Sequence, residues 1–135
     1  MAESEVLERA GLRGIAPIVP VRRVARSVDF YTEILGFTLH DRNPEMTFAH
    51  VVRDGTGLML LDLGDPQALR ATAAFLSAYV WVEEIETLWR DLSPQLDRLP
   101  TGRVTPLFDK PDGRREFHVR DPDGFLLFFG SLPGD

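Results

Sequence analysis

The chain has 135 residues, a formal net charge of −6 at pH 7, and no cysteine; 44% of its residues are hydrophobic. The absence of cysteine excludes disulfides, thiolate metal sites and cysteine nucleophiles. The negative net charge argues against nucleic-acid binding. No apolar run approaches the ~20 residues that a membrane-spanning helix needs. This composition is typical of one soluble, cytoplasmic domain, or of two small modules sharing a core, without nucleic-acid or membrane partners.

The first half of the chain predicts a strand, a helix and three further strands. The first strand is expected over 15–21. The helix is indicated by apolar residues at helical spacing, namely Val24, Val28, Tyr31 and Leu35. Gly36 stands where helices commonly end on a glycine. The remaining strands are expected over 37–41, 46–53 and 57–63, with Asp54 and Gly55 forming the turn between the last two.

The second half repeats this element order. A strand is expected over 78–82, a helix over 84–96, and strands near 104–107, 115–120 and 125–129. Six apolar positions of the first strand and helix recur in the second: Val19, Val21, Val24, Val28, Tyr31 and Leu35 correspond to Val80, Val82, Ile85, Trp89, Leu92 and Leu96. The repeat predicts an α+β fold of two βαβββ modules. The expected divisions are 1–13 as an N-terminal extension, 14–63 and 77–135 as modules, and 64–76 as a linker with a short helical turn.

The stretch 115–130 predicts a β-hairpin, because two aromatic-rich runs flank Asp121-Pro122-Asp123-Gly124. Proline sets φ for a turn, aspartate accepts hydrogen bonds from nearby backbone, and glycine tolerates positive φ. We expect Phe117 to pair with Phe128 across this hairpin, which turns His118 to the opposite face. By alternation along the other strands, Ile18, Tyr79 and Trp81 share the face of Phe128, away from the helices. Such a face is either buried core or an apolar ligand crevice.

Two motifs resemble signatures of the vicinal oxygen chelate superfamily, which includes glyoxalase I, extradiol dioxygenases and bleomycin-resistance proteins. They are the helix segment Ser27-Val-Asp-Phe-Tyr-Thr-Glu-Ile-Leu-Gly-Phe37 and the turn at 121–124, and the resemblance covers residues 15–130. The segments at 48–54, 81–82 and 115–117 are most similar to the bleomycin-resistance branch. The resemblance implies a curved mixed sheet with a crevice, helices on its outer face, and a homodimer, often with exchanged elements. In that branch, crevices at the subunit interface sequester a cationic ligand without chemistry.

Metal enzymes of this superfamily take ligands from four strands, and the resemblance places other residue types at those positions here. Three positions align with Ala16, Ser77 and Phe128, and the fourth falls at Leu60 or Leu61, with Asp62 the nearest acid. A catalytic metal centre needs about three nitrogen, sulfur or carboxylate ligands. The three histidines, His40, His50 and His118, lack the spacing of a metal motif. We therefore expect neither a metal nor another cofactor.

We expect a metal-independent protein that sequesters a cationic or aromatic, antibiotic-like molecule in an apolar crevice. The residues expected to bind it are Phe48, His50, Leu61, Tyr79, Trp81, Phe108, Phe117 and Phe128. Gly113 stands where the bleomycin-resistance branch has a tryptophan. The acids Asp109, Asp112 and Glu116 either meet a cationic ligand or face solvent. Two alternatives stay open, a glyoxalase- or dioxygenase-type metalloenzyme with relocated ligands such as His50 and Asp62, and a partner-binding module with a filled crevice.

Overall fold

Each half of the chain forms a four-stranded sheet with one long helix packed on it. The computed structural model describes residues 10–132. The first module consists of β1 (Ile18–Val21), α1 (Val24–Asp29, continued by a π-helical turn, Phe30–Ile34), β2 (Thr38–Arg42), β3 (Phe48–Arg53) and β4 (Thr56–Asp62). A connecting helix, α2 (Pro66–Thr72), runs into a 3₁₀ turn (Ala73–Phe75). The second module consists of β5 (Ser77–Val82), α3 (Ile85–Leu96), β6 (Val104–Asp109), β7 (Arg115–Arg120) and β8 (Leu126–Ser131).

The two sheets have the same topology, which confirms the predicted fold of two βαβββ modules. Their strand orders are β1-β4-β3-β2 and β5-β8-β7-β6. The first strand of each module pairs in parallel with its last strand, and all other pairs are antiparallel. Within residues 10–132, no helix combines the length and apolar character needed to cross a bilayer.

One hydrophobic core lies between the helices and the sheets and includes residues of both modules. In the first module the repeated positions Val19, Val21 and Tyr31 are fully buried, and Val24 and Leu35 nearly so. In the second module Ile85, Leu92 and Leu96 are buried, and the other three repeated residues pack against the same core. The repeated apolar pattern therefore marks the buried face of both helices.

The end of α1 explains the Leu-Gly pair in the helix segment. Gly36 has a φ of 74°, which favours glycine. The Arg53 guanidinium donates a hydrogen bond of 2.7 Å to the Leu35 carbonyl, one of the acceptors that a helix end leaves free. A Cβ at Gly36 would lie 2.6 Å from Arg53 Nη1. A side chain at this position would therefore displace the arginine that caps the helix.

The turn at 121–124 joins the second module to α1 of the first. The Asp121 carboxylate is buried, and its Oδ2 accepts a 2.9 Å hydrogen bond from the Tyr31 hydroxyl. Its Oδ1 accepts hydrogen bonds from the backbone N–H groups of Asp123 and Phe125, at 2.9 and 3.0 Å. The Arg26 guanidinium donates to Asp123 at 2.8 Å. The two motifs that carry the resemblance, 90 residues apart in sequence, thus meet in one buried hydrogen-bonded group.

Two segments differ most from their predicted form, while the other strand and helix bounds shift by at most two residues. The first strand begins at Ile18 rather than residue 15, and Pro17 marks its boundary because proline has no N–H to donate to the ladder. The expected linker is more helical than predicted, since Asp65 accepts hydrogen bonds from the N–H groups of Gln67 and Ala68 and caps α2. Of the expected N-terminal extension, residues 10–13 have no regular structure, and residues 1–9 lie outside the described part.

Candidate functional site

Five ring-bearing side chains form a continuous row on the second sheet, on the face opposite α3. The row, here called the aromatic face, consists of Trp81, Tyr79, Phe128, His118 and Phe108. Successive ring centroids are separated by 4.5 Å (Trp81–Tyr79), 5.9 Å (Tyr79–Phe128), 4.5 Å (Phe128–His118) and 5.4 Å (His118–Phe108). Trp81 is 50% exposed and Tyr79 is 37% exposed. The row is therefore an accessible aromatic surface rather than part of the core.

The predicted pairing of Phe117 with Phe128 is wrong by one residue. Phe117 pairs with Phe129, and His118 pairs with Phe128. Because side chains alternate along a strand, this shift exchanges the faces of Phe117 and His118. Phe117 is fully buried and stacks on Phe129 beneath Trp89 of α3, so it is a core residue and not part of a ligand surface. His118, expected on the other face, belongs to the aromatic face.

A buried carboxylate lies next to the aromatic face. Glu116 is 5% exposed and accepts a hydrogen bond of 2.7 Å from the Tyr79 hydroxyl. The Lys110 ammonium lies 3.3 Å from Glu116 Oε1, and His118 Nε2 contacts Oε2. Burial, the largest single influence, acts to raise the pKa of Glu116, but the hydrogen bonds from His118, Tyr79 and Lys110 together hold that pKa below its ordinary value. Glu116 is therefore a fixed negative charge at neutral pH.

Gly130 sets the position of the Tyr79 ring. Its backbone lies beneath the ring, and a Cβ at Gly130 would overlap the Tyr79 hydroxyl. The absence of a side chain therefore lets that hydroxyl reach Glu116. Burial, followed by the hydrogen bond to Glu116 and its negative charge, raises the pKa of Tyr79 to about 12. Tyr79 thus stays a neutral donor over the whole physiological range.

Replacing Gly130 with alanine is expected to displace Tyr79 from Glu116 and return the tyrosine pKa toward 10. The wild-type protein should form little tyrosinate at about pH 10.5, because burial also raises the pKa of Tyr31 well above 10. Ultraviolet absorbance of tyrosinate during a pH titration measures the difference. Gly55→Ala is the matched control, since a Cβ there meets nothing within 4 Å. Identical titrations for Gly130→Ala and the wild type would contradict this account of Tyr79.

The acids near the last hairpin are already paired with basic side chains. Asp109 contacts Arg115 at 3.0 Å, and Asp112 contacts Arg114 at 2.8 Å. Both aspartates are exposed, so these pairs contribute little to stability. Of these three acids, Glu116 is the one that is hydrogen-bonded to members of the aromatic face, Tyr79 and His118.

The other expected ligand-binding residues lie on the first sheet. Phe48 pairs with Leu61, and His50 pairs with Met59. Their strand neighbours Ala49 and Leu60 are fully buried toward α1, so alternation places Phe48, His50 and Leu61 on the opposite, open face. Apart from Phe117, the predicted residues thus form two groups, one on the open face of each sheet.

The four positions that the resemblance aligns with metal ligands can be located in the structure. Ser77 and Phe128 lie on the adjacent strands β5 and β8, and Ala16 precedes β1. Leu61 is partly exposed on the open face while Leu60 is fully buried, so Leu61 is the one of the two that shares the open face with Phe48 and His50. An alanine, a leucine and a phenylalanine offer no donor atom, and a serine hydroxyl is a poor substitute for imidazole or carboxylate. These residues do not fit a catalytic metal.

The relocated ligand pair His50 and Asp62 is not brought together. His50 shares its face with Leu61, whereas Asp62 follows Leu61 in β4 and points to the other side. The Asp62 carboxylate accepts a 2.7 Å hydrogen bond from the Gly64 N–H. It therefore closes the turn after β4 and does not share a face with His50.

The larger of two described clefts lies between the modules, with a volume of about 680 Å³. Its walls include Leu35 and Phe37 from the first module and Trp81 and Leu88 from the second. A smaller cleft of about 240 Å³ lies between the start of α1 and the start of α2. Trp81 is the one member of the aromatic face that lines the larger cleft.

Sequence reasoning did not include Lys110, Glu116 and His118 in the binding set. The alternation of polar and apolar residues over 115–120 was the available signal, because Phe117 and Val119 lie two apart and are both apolar. That alternation assigns Phe117 and Val119 to the core and Glu116 and His118 to the other face, as the structure shows. The length of the turn at 121–125 then fixes the pairing.

The family and structure comparisons agree with this architecture. A model of the Glyoxalase/Bleomycin resistance protein/Dioxygenase superfamily matches residues 14–129. A search of curated proteins found no match.

Several solved structures share the fold. A bleomycin-binding protein from bleomycin-producing Streptomyces verticillus, complexed with copper(II)-bleomycin, has a TM-score of 0.74 and 26% identity, over 92% of this chain and 99% of that chain. A bleomycin resistance determinant encoded on the transposon Tn5 has a TM-score of 0.72 and 21% identity, over 89% and 98%. A lactoylglutathione lyase from Agrobacterium tumefaciens has a TM-score of 0.64 and 15% identity, over 90% and 95%. The fold is therefore shared by binding proteins and an enzyme.

Proposed function

Because the chain belongs to the glyoxalase/bleomycin resistance protein/dioxygenase superfamily, we propose that it binds an aromatic, positively charged small molecule on its aromatic face and sequesters it without chemistry. The observation that carries the proposal is the row from Trp81 to Phe108, in which the rings of Trp81, Tyr79 and Phe108 are exposed to solvent. Aromatic contacts of this kind contribute about 0.5–1.5 kcal/mol each beyond the area they bury. A planar ligand that contacts several rings at once would gain from each of them.

The preference for a cationic ligand is supported by the position of Lys110. Its ammonium lies 5.9 Å from the centre of the Tyr79 ring and 3.3 Å from Glu116. A ligand cation at this place would make the same two interactions, one with the ring and one with the buried carboxylate. The side chain of Lys110 is partly exposed and is attached by a flexible stem, so it can move aside. The net charge of −6 also attracts a cation over longer distances.

Binding without chemistry is supported by the residues at the four metal positions. The lactoylglutathione lyase shows that the fold also occurs in enzymes, but the alanine, serine, leucine and phenylalanine found here do not form a set of metal ligands. The nearest ionisable groups, Glu116 and His118, are hydrogen-bonded to each other. They supply charge and shape to the site, and the proposal assigns them no proton-transfer step.

Bleomycin is one candidate ligand, because the similar protein from Streptomyces verticillus is complexed with copper(II)-bleomycin. One position differs from the bleomycin-resistance branch, because Gly113 stands where that branch has a tryptophan. Gly113 has a φ of 88° in the turn between β6 and β7, where its N–H bonds to the Lys110 carbonyl. A tryptophan at this position would be strained in that conformation. We therefore propose a ligand that is held mainly by Trp81, Tyr79 and Phe128.

We further propose that the protein acts in the cytoplasm as a homodimer in which a second copy packs beside the open faces and closes the ligand crevice. Large apolar side chains are exposed on these faces and on the segment that leads into β1: Trp81 and Ile18 on the sheets, Leu12 and Ile15 before them. Exposed apolar surface of this extent favours association. Light scattering coupled to size-exclusion chromatography should give twice the chain mass, and a monomer at micromolar concentration would contradict this part of the proposal.

The binding proposal is tested by calorimetric titration with a matched pair of probes, N-methylquinolinium and quinoline, together with bleomycin. The pair has the same ring system and differs in charge, so cationic preference appears as tighter binding of N-methylquinolinium that weakens with added salt. Turnover assays with the methylglyoxal hemithioacetal and with catechol address the enzymatic alternative. Equal affinity for N-methylquinolinium and quinoline would contradict a role for ligand charge in binding. Turnover of the methylglyoxal hemithioacetal or of catechol would overturn sequestration as the function.

A further inference from the structure

A β-bulge in the first sheet brings two neighbouring side chains of β2 beside one side chain of β3. Leu39 pairs with Val51, but Asp41 rather than His40 pairs with His50. In a regular strand, His40 and Asp41 would point to opposite faces. A bulge places two residues opposite one, and bulges commonly redirect a side chain in this way. The irregularity therefore gathers His40, Asp41 and His50 at one point of the sheet.

The donor atoms of these three side chains are close enough to bind one ion. One ligand atom from each residue lies within 4.8 Å of the others. His50 Nδ1 is 3.8 Å from Asp41 Oδ1, and the rings of His40 and His50 are 5.2 Å apart, nearly perpendicular. Metal–nitrogen and metal–oxygen bonds of about 2.0–2.2 Å require only a small closing movement. His40 and Asp41 are exposed and free to make it.

The orientation of His50 is fixed by a glycine on the neighbouring strand. A Cβ at Gly57 would lie 2.7 Å from His50 Nε2, so the imidazole rests in the space that the missing side chain leaves. With Nε2 against Gly57, Nδ1 faces Asp41. One of the three donors is thus already oriented toward the others, which lowers the cost of assembling a site.

We propose that His40, Asp41 and His50 bind a divalent transition-metal ion, with Zn²⁺ as the representative case. Two imidazoles and one carboxylate suit Zn²⁺ and leave a fourth position for water, whereas Mg²⁺ and Ca²⁺ require more oxygen ligands. All five residues of β2 are exposed at the edge of the sheet. A metal shared by β2 and β3 would hold this edge strand in place. The site is separate from the aromatic face and does not depend on the proposed function.

The test is a calorimetric titration of the untagged full chain with Zn²⁺, Cu²⁺ and Mg²⁺, together with thermal unfolding. We expect one Zn²⁺ per chain, tighter binding of Cu²⁺, and no binding of Mg²⁺. At a hundredfold excess of Zn²⁺ over its dissociation constant, the Tm should rise by roughly 5–10 °C. Absence of Zn²⁺ binding, or equal binding of Mg²⁺, would overturn the proposal.

Matched variants identify the ligands. His50→Gln and Asp41→Asn should each weaken Zn²⁺ binding about 100-fold or more, whereas Asp97→Asn, at the exposed end of α3, should leave it unchanged. Gly57→Ala should also weaken binding although it removes no ligand, because it displaces His50. Gly55→Ala in the adjacent turn is its control. Undiminished affinity in His50→Gln or Gly57→Ala, with folding confirmed by circular dichroism, would contradict the assigned site.

Discussion

Replacing Asp121 with alanine is expected to lower the free energy of unfolding by about 3–5 kcal/mol, because two buried donors and one partly buried donor would lose their acceptor. These are the Tyr31 hydroxyl and the backbone N–H groups of Asp123 and Phe125. Each buried donor without a partner costs about 1–3 kcal/mol. A domain of this size has only about 5–15 kcal/mol of stability, so a large fraction would be lost. Urea denaturation of both proteins measures the difference, and a loss below about 1 kcal/mol would contradict the assigned role.

Asp121→Asn separates the charge of this side chain from its hydrogen bonds. Burial, the largest influence, raises the pKa of Asp121 to about 6 in the folded protein, against ~3.9 in an unfolded chain. The folded state therefore binds the Asp121 proton more tightly than the unfolded chain does, and this proton binding stabilises the fold by about 3 kcal/mol. That stabilisation is fully present below about pH 4 and is lost as the pH rises through about 6. Asparagine cannot titrate. The difference in unfolding free energy between wild type and variant should change over this interval, and a constant difference would contradict the raised pKa.

Replacing Trp81 with alanine is expected to weaken the binding of a cationic aromatic ligand about 10- to 100-fold. The side chain begins the row of rings and is half exposed, so its removal takes away stacking and cation–π contacts without opening the core. Large aromatic residues at the centre of a binding surface commonly account for about 1–3 kcal/mol of affinity. Calorimetric titration with N-methylquinolinium measures the change.

Trp89→Phe is the matched control for this prediction. Its ring contacts Phe117 on the α3 side of the sheet, 5.0 Å between centroids, and does not belong to the aromatic face. Affinity in this variant should stay within about twofold of the wild type. If Trp89→Phe weakened binding as much as Trp81→Ala, the ligand would have to bind elsewhere than on the aromatic face.

The fold was predictable because the residues at turns and helix ends and the repeated apolar pattern indicate the same two-module arrangement. Gly36 ends α1 as expected, and the turn at 121–124 forms the expected hairpin. The resemblance of these two segments to the superfamily has a physical basis, since Tyr31 of one donates to Asp121 of the other. Neither the sequence pattern nor the spacing of the two segments indicated that contact, which depends on how the modules pack.

The candidate site was less predictable, because faces depend on register and register depends on turn length. A shift of one residue in the β7–β8 pairing placed Phe117 on the ligand surface and His118 off it, and the structure reverses both. The bulge at His40 has no clear sequence signal either, so His40 and His50, which lack the spacing of a metal motif, lie together with Asp41. Trp81, Tyr79 and Phe128 were assigned to one face correctly because β5 and β8 are regular along that stretch.

The most direct test of ligand binding on the aromatic face is a fluorescence titration of the Trp89→Phe variant, in which Trp81 is the only tryptophan. Bleomycin and N-methylquinolinium serve as ligands, and free tryptophan corrects for absorbance and for collisional quenching. The proposed function predicts saturable quenching of Trp81 by at least one of them, and quenching by N-methylquinolinium should weaken with added salt. Quenching that never exceeds that of free tryptophan, with either ligand, would contradict the assignment of the aromatic face as a binding site.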